Sequence, residues 1–264
     1  MKIAYISDLH NDFLREEGQP VPDIELGGKA DVLVLAGDID VQEYGAEYAL
    51  KQSVRLGIPV LYVLGNHEFY DTGYESVRDK VEGITQGTDV HFLDGDSVII
   101  DDVMFIGATL WTDFMLLGKE RHRSAVALAT FQMNDYREIW LPDQPFFPKL
   151  TVNDTTLWHK FEKEFIEDEL AKPAEFKKVV ITHHAPSIGC LPPEEQNNLF
   201  SAAYASHLDE LIERFDPAAW IYGHVHGEST IKVGKTKVCR NAMGYPDPTA
   251  NNLSSYVPKI IQID

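Results

Sequence analysis

The sequence predicts an α/β fold in a single domain, residues 1–264, on three observations. Short apolar, β-branched runs recur along the chain, a helical pattern separates two of them, and a polar or glycine-led segment closes each one. Runs that are apolar at nearly every position suit strands buried on both faces, as in a parallel sheet joined by crossover helices. A chain of 264 residues is also long enough to bury a sizeable core.

The elements follow in order. Residues 2–7 (KIAYIS) form the first run and Asp8 closes it; residues 32–36 (VLVLA) form the second, closed by Gly37. Residues 43–56 have the pattern of a crossover helix into the third run, 60–64 (VLYVL), which Gly65 closes. Residues 90–110 read as two short strands, VHFLD and VIIDDVMFIGATL, with Gly95 and Asp96 as the turn. The segment 111–176 is helical and amphipathic in pattern and carries no strand-end motif, so it is expected to be an insertion or cap packed near the site. The stretch LPDQPFFPK interrupts it, since three prolines forbid a continuous helix. Residues 179–182 (VVIT) lead into His183, and 220–222 (WIY) into Gly223. The segments TIKVGKTKVCRNA and YVPKIIQID have the character of antiparallel strands.

Composition excludes several functions. A net charge of −19 repels polyanions, and no basic stripe with interleaved aromatics is present, which argues against nucleic acid as a partner. No apolar run approaches the roughly 20 residues of a membrane helix. The start, MKIAYISDLH, reads as a structured strand of a cytoplasmic protein rather than a secretory signal. Cys190 and Cys239 stand in no CxxC or Cys/His pattern and are expected to be reduced, apolar fillers. An acidic chain also concentrates divalent cations, which a phosphate substrate would need to offset repulsion.

Five motifs stand where strands run out: Asp8-Leu9-His10, Gly37-Asp38, Gly65-Asn66-His67-Glu68, Thr182-His183-His184 and Gly223-His224-Val225-His226. In layered α/β folds ligands bind outside the carboxyl ends of the strands. Together the motifs supply carboxylates, imidazoles and one carboxamide without thiolate, a donor set that suits Mn, Fe or Zn. In extended backbone residues i and i+2 point the same way, so DxH and HxH can each turn both side chains toward one cation. Any of these tripeptides alone is weak, and a solvated loop explains it; all five in one order, each at a strand end, are specific.

This series, D-x-H, G-D, G-N-H-E, H and G-H-x-H, resembles the calcineurin-like metallophosphoesterase family over most of the chain, Asp8 to His226. The resemblance implies two facing mixed β-sheets flanked by helices, and two divalent metal ions. It implies that one ion takes Asp8, His10 and His226, that the other takes Asn66, His183 and His224, and that Asp38 bridges them. It also implies that His183 is the ligand and that His184 stands behind it or reaches the substrate. The expected chemistry is hydrolysis of a small phosphorylated substrate by a metal-bound hydroxide, with His67 protonating the leaving group and Asp40 or Glu68 orienting His67. Phosphodiesters are preferred over phosphomonoesters or phosphoproteins, and a non-catalytic metal-binding scaffold is the reading outside enzymes. Similar proteins often carry N-P-R-G-Y where this chain has NAMGYP, with Met243 in the arginine's place.

Other residues read as ordinary. His91, His159 and His207 are expected at surface or helix positions, Asp12 in a loop or cap, and the glutamate-rich run 162–169 on an exposed face. Trp111 is expected in the core. Arg121, His122 and Arg123 are a solvated helical face before they are a phosphate-binding patch.

Overall fold

The computed structural model describes residues 1–141, 148–173, 175–246 and 255–264. In chain order the strands are β1 (Lys2–Ile6), β2 (Val32–Ala36), β3 (Val60–Val63), β4 (Val90–Phe92), β5 (Asp96–Ile100) and β6 (Val103–Ala108). They continue with β7 (Lys177–Thr182), β8 (Ala219–Tyr222), β9 (Gly227–Val233), β10 (Thr236–Ala242) and β11 (Lys259–Gln262). The helices are α1 (Asn11–Glu16), α2 (Tyr44–Leu56), α3 (Tyr74–Thr85), α4 (Lys119–Gln132), α5 (Asp135–Glu138), α6 (Val152–Ala171) and α7 (Asp209–Phe215).

The strands build two mixed sheets, ordered β11-β1-β2-β3-β4 and β5-β6-β7-β8-β10-β9. Strands β1 to β4 of one sheet and β6, β7, β8 and β10 of the other run parallel, and antiparallel strands finish one edge of the first (β11) and both edges of the second (β5 and β9). Because side chains alternate along a strand, each sheet offers two apolar faces. Ile3, Val34, Leu61 and Val63 from the first sheet meet Phe105, Val179, Ile181 and Ile221 from the second in a core between the sheets. The opposite faces bury Leu33, Leu35 and Tyr62 under α2 and α3, and Ile106, Val180 and Trp220 under α4, α6 and α7. Two facing mixed sheets flanked by helices is thus the architecture. Its consequence is that the parallel strands of both sheets run out at one rim.

Three sequence expectations need correction. The run VIIDDVMFIGATL is two strands, because the paired aspartates turn it: Asp101 has φ 53°, and Ile100 pairs with Val103 across a two-residue turn. Residues 110–118 hold no helix, since Leu110, Trp111, Phe114 and Gly118 all have positive φ. On α6, Glu162 and Glu169 are buried rather than exposed, and His159, at a helix position as expected, is buried beside them. His159 Nδ1 donates to Leu110 O over 2.7 Å and so pins that irregular loop, while burial pushes the Glu162 carboxyl well above the usual carboxylate range. Periodicity locates a helical stripe without saying how many of its charges face inward. The proline-interrupted stretch LPDQPFFPK lies outside the described residues over 142–147, and the three helices of the predicted insertion, α4 to α6, stand between β6 and β7. Among the described residues no helix is long and apolar enough to cross a membrane.

The two sheets approach closely at Gly107 on β6. A β-carbon there would overlap Leu93 and lie 2.9 Å from Cγ1 of Val63, both on the facing sheet's side. Replacing Gly107 by alanine is expected to destabilise the protein by about 1–3 kcal/mol through overpacking, read as a lower midpoint in urea unfolding. An unchanged midpoint would show that the sheets can separate at no cost.

Candidate metal centre

Backbone hydrogen bonds lace the strand-end loops together before any side chain acts. Asp8 N donates to Gly37 O (3.0 Å), His10 N to Asp38 O (3.1 Å) and Gly223 N to His183 O (3.0 Å). Across the rim Ser7 bridges to Ala242, with Met243 N donating to Ser7 O (3.0 Å), so β1 of one sheet is tied to β10 of the other. Four of the donor residues do not lie in extended backbone. Asp8, His10, Asp38 and His224 have φ of 54°, 46°, 52° and 62°, so tight left-handed turns, not strand alternation, aim DxH and HxH. At Gly37, φ is 85° and a β-carbon would strike the His183 ring, so glycine is what lets that ring lie against the turn.

Glu68 organises these loops. Its carboxylate accepts from Asp38 N (3.0 Å), Ile39 N (2.8 Å), Gly65 N (2.8 Å) and the Tyr62 hydroxyl (2.9 Å). The role of orienting His67, expected of Glu68 or Asp40, falls to neither: Glu68 is occupied with backbone, and Asp40 pairs with Arg15. His67 is instead held by its own N–H, which donates to Asp38 Oδ1 over 2.9 Å, by a stack on Tyr70 with centroids 4.3 Å apart, and by the Tyr245 hydroxyl 3.5 Å from its Nε2.

The structure brings Asp8, His10, Asp38, Asn66, His67, His183, His224 and His226 into one cluster, buried except at His226, which lies exposed at its edge. Three overlapping groups have their donor atoms within 4.8 Å of one another: Asp8, His10 and His226; His10, Asp38 and His67; and Asp38, His183 and His224. Asn66 joins the last, its Oδ1 lying 3.1 Å from His183 Nε2. Of the adjacent histidines, His183 points into the cluster. Its Nδ1 donates to Ala36 O (2.9 Å), which leaves Nε2 facing Asp38, Asn66 and His224. His184 donates Nδ1 to Thr109 O (3.2 Å) and packs behind His224, ring centroids 4.3 Å apart.

Two contacts would suit a cation held between imidazoles. His10 Nε2 faces His226 Nε2 at 3.3 Å, and His183 Nε2 faces His224 Nδ1 at 3.2 Å. The opposite nitrogens of two of these rings, His10 Nδ1 and His224 Nε2, are buried and have no hydrogen-bond partner among the described residues. Burial pushes the His10 imidazole down to about 3 and holds His224 well below its usual range, with His184 and His183 adding to the effect, so their lone pairs are free to bind. Burial likewise raises Asp8 to about 7 without a cation. For Asp38 and His183 burial is outweighed by their mutual attraction, which holds the carboxyl well below its range and lifts the imidazole to about 10. The N and O donor set, lacking thiolate, fits divalent Mn, Fe or Zn.

Beside the cluster opens a cavity of about 570 Å³ walled by Met133, Leu191, Phe200, Tyr204 and Tyr245, with Asp38, Asn66, His67, His224 and His226 at its base. Among the described residues no lysine or arginine lines it, and the segments outside the description contain none. Arg121 is instead bonded to Asn197 O (3.0 Å), and neither it nor Arg123 reaches the cavity. Cys190 and Cys239 are free and buried. Sequence reasoning missed the contributions of Asp135, Tyr70, Tyr204 and Tyr245. Only Tyr245, in NAMGYP, lay in a segment with any signal.

A sequence model of the family described as calcineurin-like phosphoesterase matches residues 1–228. Protein L509 of Acanthamoeba polyphaga mimivirus, itself uncharacterized, is 26% identical over 274 residues, covering 96% of this chain and 94% of that protein. A phosphopantetheinyl hydrolase of Mycobacterium tuberculosis has a similar fold, with a TM-score of 0.67 at 16% identity, covering 96% of this chain and 93% of the hydrolase. GAP50, an anchor in the inner membrane complex of Plasmodium, aligns at a TM-score of 0.45 and 13% identity over 92% of this chain and 71% of that one.

Replacing Glu68 by alanine would leave three backbone N–H groups and the Tyr62 hydroxyl without their acceptor. The expected loss is about 3 kcal/mol or more, measured by urea unfolding of metal-free protein; a variant within about 1 kcal/mol of the parent would show that water replaces the carboxylate.

Proposed function

The chain belongs to the calcineurin-like phosphoesterase family, and from that premise we propose that it hydrolyses small phosphodiesters at two divalent cations held by the cluster at the sheet rim. In this reading Asp8, His10 and His226 hold one ion, Asn66, His183 and His224 hold the other, and Asp38 bridges them. The observation that carries it is the overlap of the donor groups: Asp38 belongs to two of them, and the cavity opens directly onto it.

Two bound cations would bring the pKa of a water toward neutrality and take up phosphoryl charge. The protein's own groups do the rest. Asp38 would set the spacing of the ions, and its Oδ1 accepts the backbone N–H of His67, so the same residue also fixes the loop that carries the acid. His67, at the cavity base with its ring stacked on Tyr70, protonates the leaving oxygen. The neutral carboxamide of Asn66 limits the negative charge facing an anionic substrate. Phe200, Tyr204 and Tyr245 pack against the organic group.

The lack of lysine or arginine in the cavity favours diesters. A diester carries one negative charge and a monoester up to two, and here the phosphate's charge is met by the cations alone. It also disfavours substrates with further phosphate groups. Two free, buried cysteines accord with a reducing, cytoplasmic setting.

After chelation and reconstitution with Mn²⁺, bis-p-nitrophenyl phosphate is expected to be cleaved with higher kcat/KM than p-nitrophenyl phosphate. Asp38→Ala should abolish turnover of both, and His67→Ala should reduce kcat by about 10²–10⁴-fold with metal content intact. A fully metallated parent that cleaves neither ester, or an active Asp38→Ala variant, would contradict the proposal.

A further inference from the structure

We propose that Asp135 is a positioning residue for the metal centre: from the short helix α5 it locks the Asn66 amide so that the oxygen, not the nitrogen, faces the cation. The proposal rests on the reading of Asn66 as a ligand. A carboxamide is nearly symmetric in shape, and nothing in the side chain itself decides which end faces a neighbour. Only the oxygen binds a cation. With the nitrogen turned inward, two N–H dipoles would oppose it.

The environment of Asn66 makes that choice. Its Nδ2 donates to Asp135 Oδ1 (2.8 Å) and to the Tyr70 hydroxyl (3.1 Å), while its Oδ1 stands 3.1 Å from His183 Nε2. Tyr70 donates its own proton to the same Asp135 oxygen over 2.7 Å, which leaves the hydroxyl oxygen free to accept from Asn66. An ionised carboxylate accepts and never donates, so it tolerates the amide nitrogen and rejects the amide oxygen.

The position of Asp135 points the same way. The residue is 2% exposed, and its Oδ1 meets both Asn66 Nδ2 and the Tyr70 hydroxyl. A cation beyond Asn66 would extend this to a chain of carboxylate, carboxamide and metal. Outer partners of this kind, which orient a ligand through its second polar atom, commonly contribute 10–100-fold to metal affinity. Asp135 lies directly after Gln132, Met133 and Asn134, which line the cavity, so the segment between β6 and α6 contributes to the centre as well as to the wall above it.

The test is equilibrium dialysis of metal-free protein against Mn²⁺, with bound metal measured by atomic emission, for the parent, Asp135→Leu, Asp135→Asn, Tyr70→Phe and Asn66→Ala. Asp135→Leu is expected to weaken one of two ions by about 10–100-fold while the metal-free protein still unfolds in a single cooperative transition in urea. Asp135→Asn, whose amide oxygen still accepts from Asn66, should recover much of that loss. Tyr70→Phe should lose less than Asp135→Leu and serves as the probe of the network if the leucine variant fails to fold. Parent affinity for both ions in a folded Asp135→Leu protein, or in both Asp135→Asn and Tyr70→Phe when the leucine variant does not fold, would overturn the proposal. Two tightly bound ions in Asn66→Ala would instead overturn the ligand assignment on which it stands.

Discussion

Asp38 carries a negative charge where almost no water reaches it, and a charge so placed has to be matched by protein groups or by ions. One oxygen takes the His67 N–H; the other faces His183 at 3.3 Å and His10 at 3.9 Å. The turn that carries it is fixed in turn by Glu68, through Asp38 N and Ile39 N. Every loop at the rim is therefore arranged with respect to this carboxylate. The burial of Asp38 is what makes a cation between the two sheets favourable rather than incidental.

That arrangement depends on the sheets less for their strands than for where the strands stop. Parallel strands deliver their carboxyl ends to one rim, and loops leaving the rim can meet across the gap between sheets. The residues at those exits adopt left-handed backbone, which is costly for aspartate and histidine. The cost is borne because backbone hydrogen bonds between neighbouring loops over-determine each turn.

The strands and the donor residues were legible in the sequence for a physical reason. A strand buried on both faces must be apolar at nearly every position, so 32–36 and 60–64 announce themselves, and donor residues next to glycine at such exits have few structural uses. What lay beyond reach depends on tertiary packing. Nothing in the run of α6 distinguishes Glu162, turned inward, from Glu167, which stays at the surface pairing with Arg214. The turn at Asp101 hides in an apolar run until its positive φ is seen. Asp135 acts on a residue far away in the chain, and no local pattern encodes that partner. Even where the motif residues were identified, the geometry that aims them was not: alternation suggested extended backbone, and the loops use tight turns instead.

The pairing of β1 with β11 bears on how the molecule is made. β1 leaves the ribosome long before its antiparallel neighbour β11, and before β10, which sits inside the second sheet. Until then the nascent chain presents the bare edge of β1, and Asp8 waits for the loop holding His224, whose N–H it accepts at 3.0 Å. Long-range pairing of this kind is slow and leaves sticky edges exposed in the meantime. A chain released before β10 and β11 would thus hold every donor residue yet leave the edges of β1 and β8 unpaired.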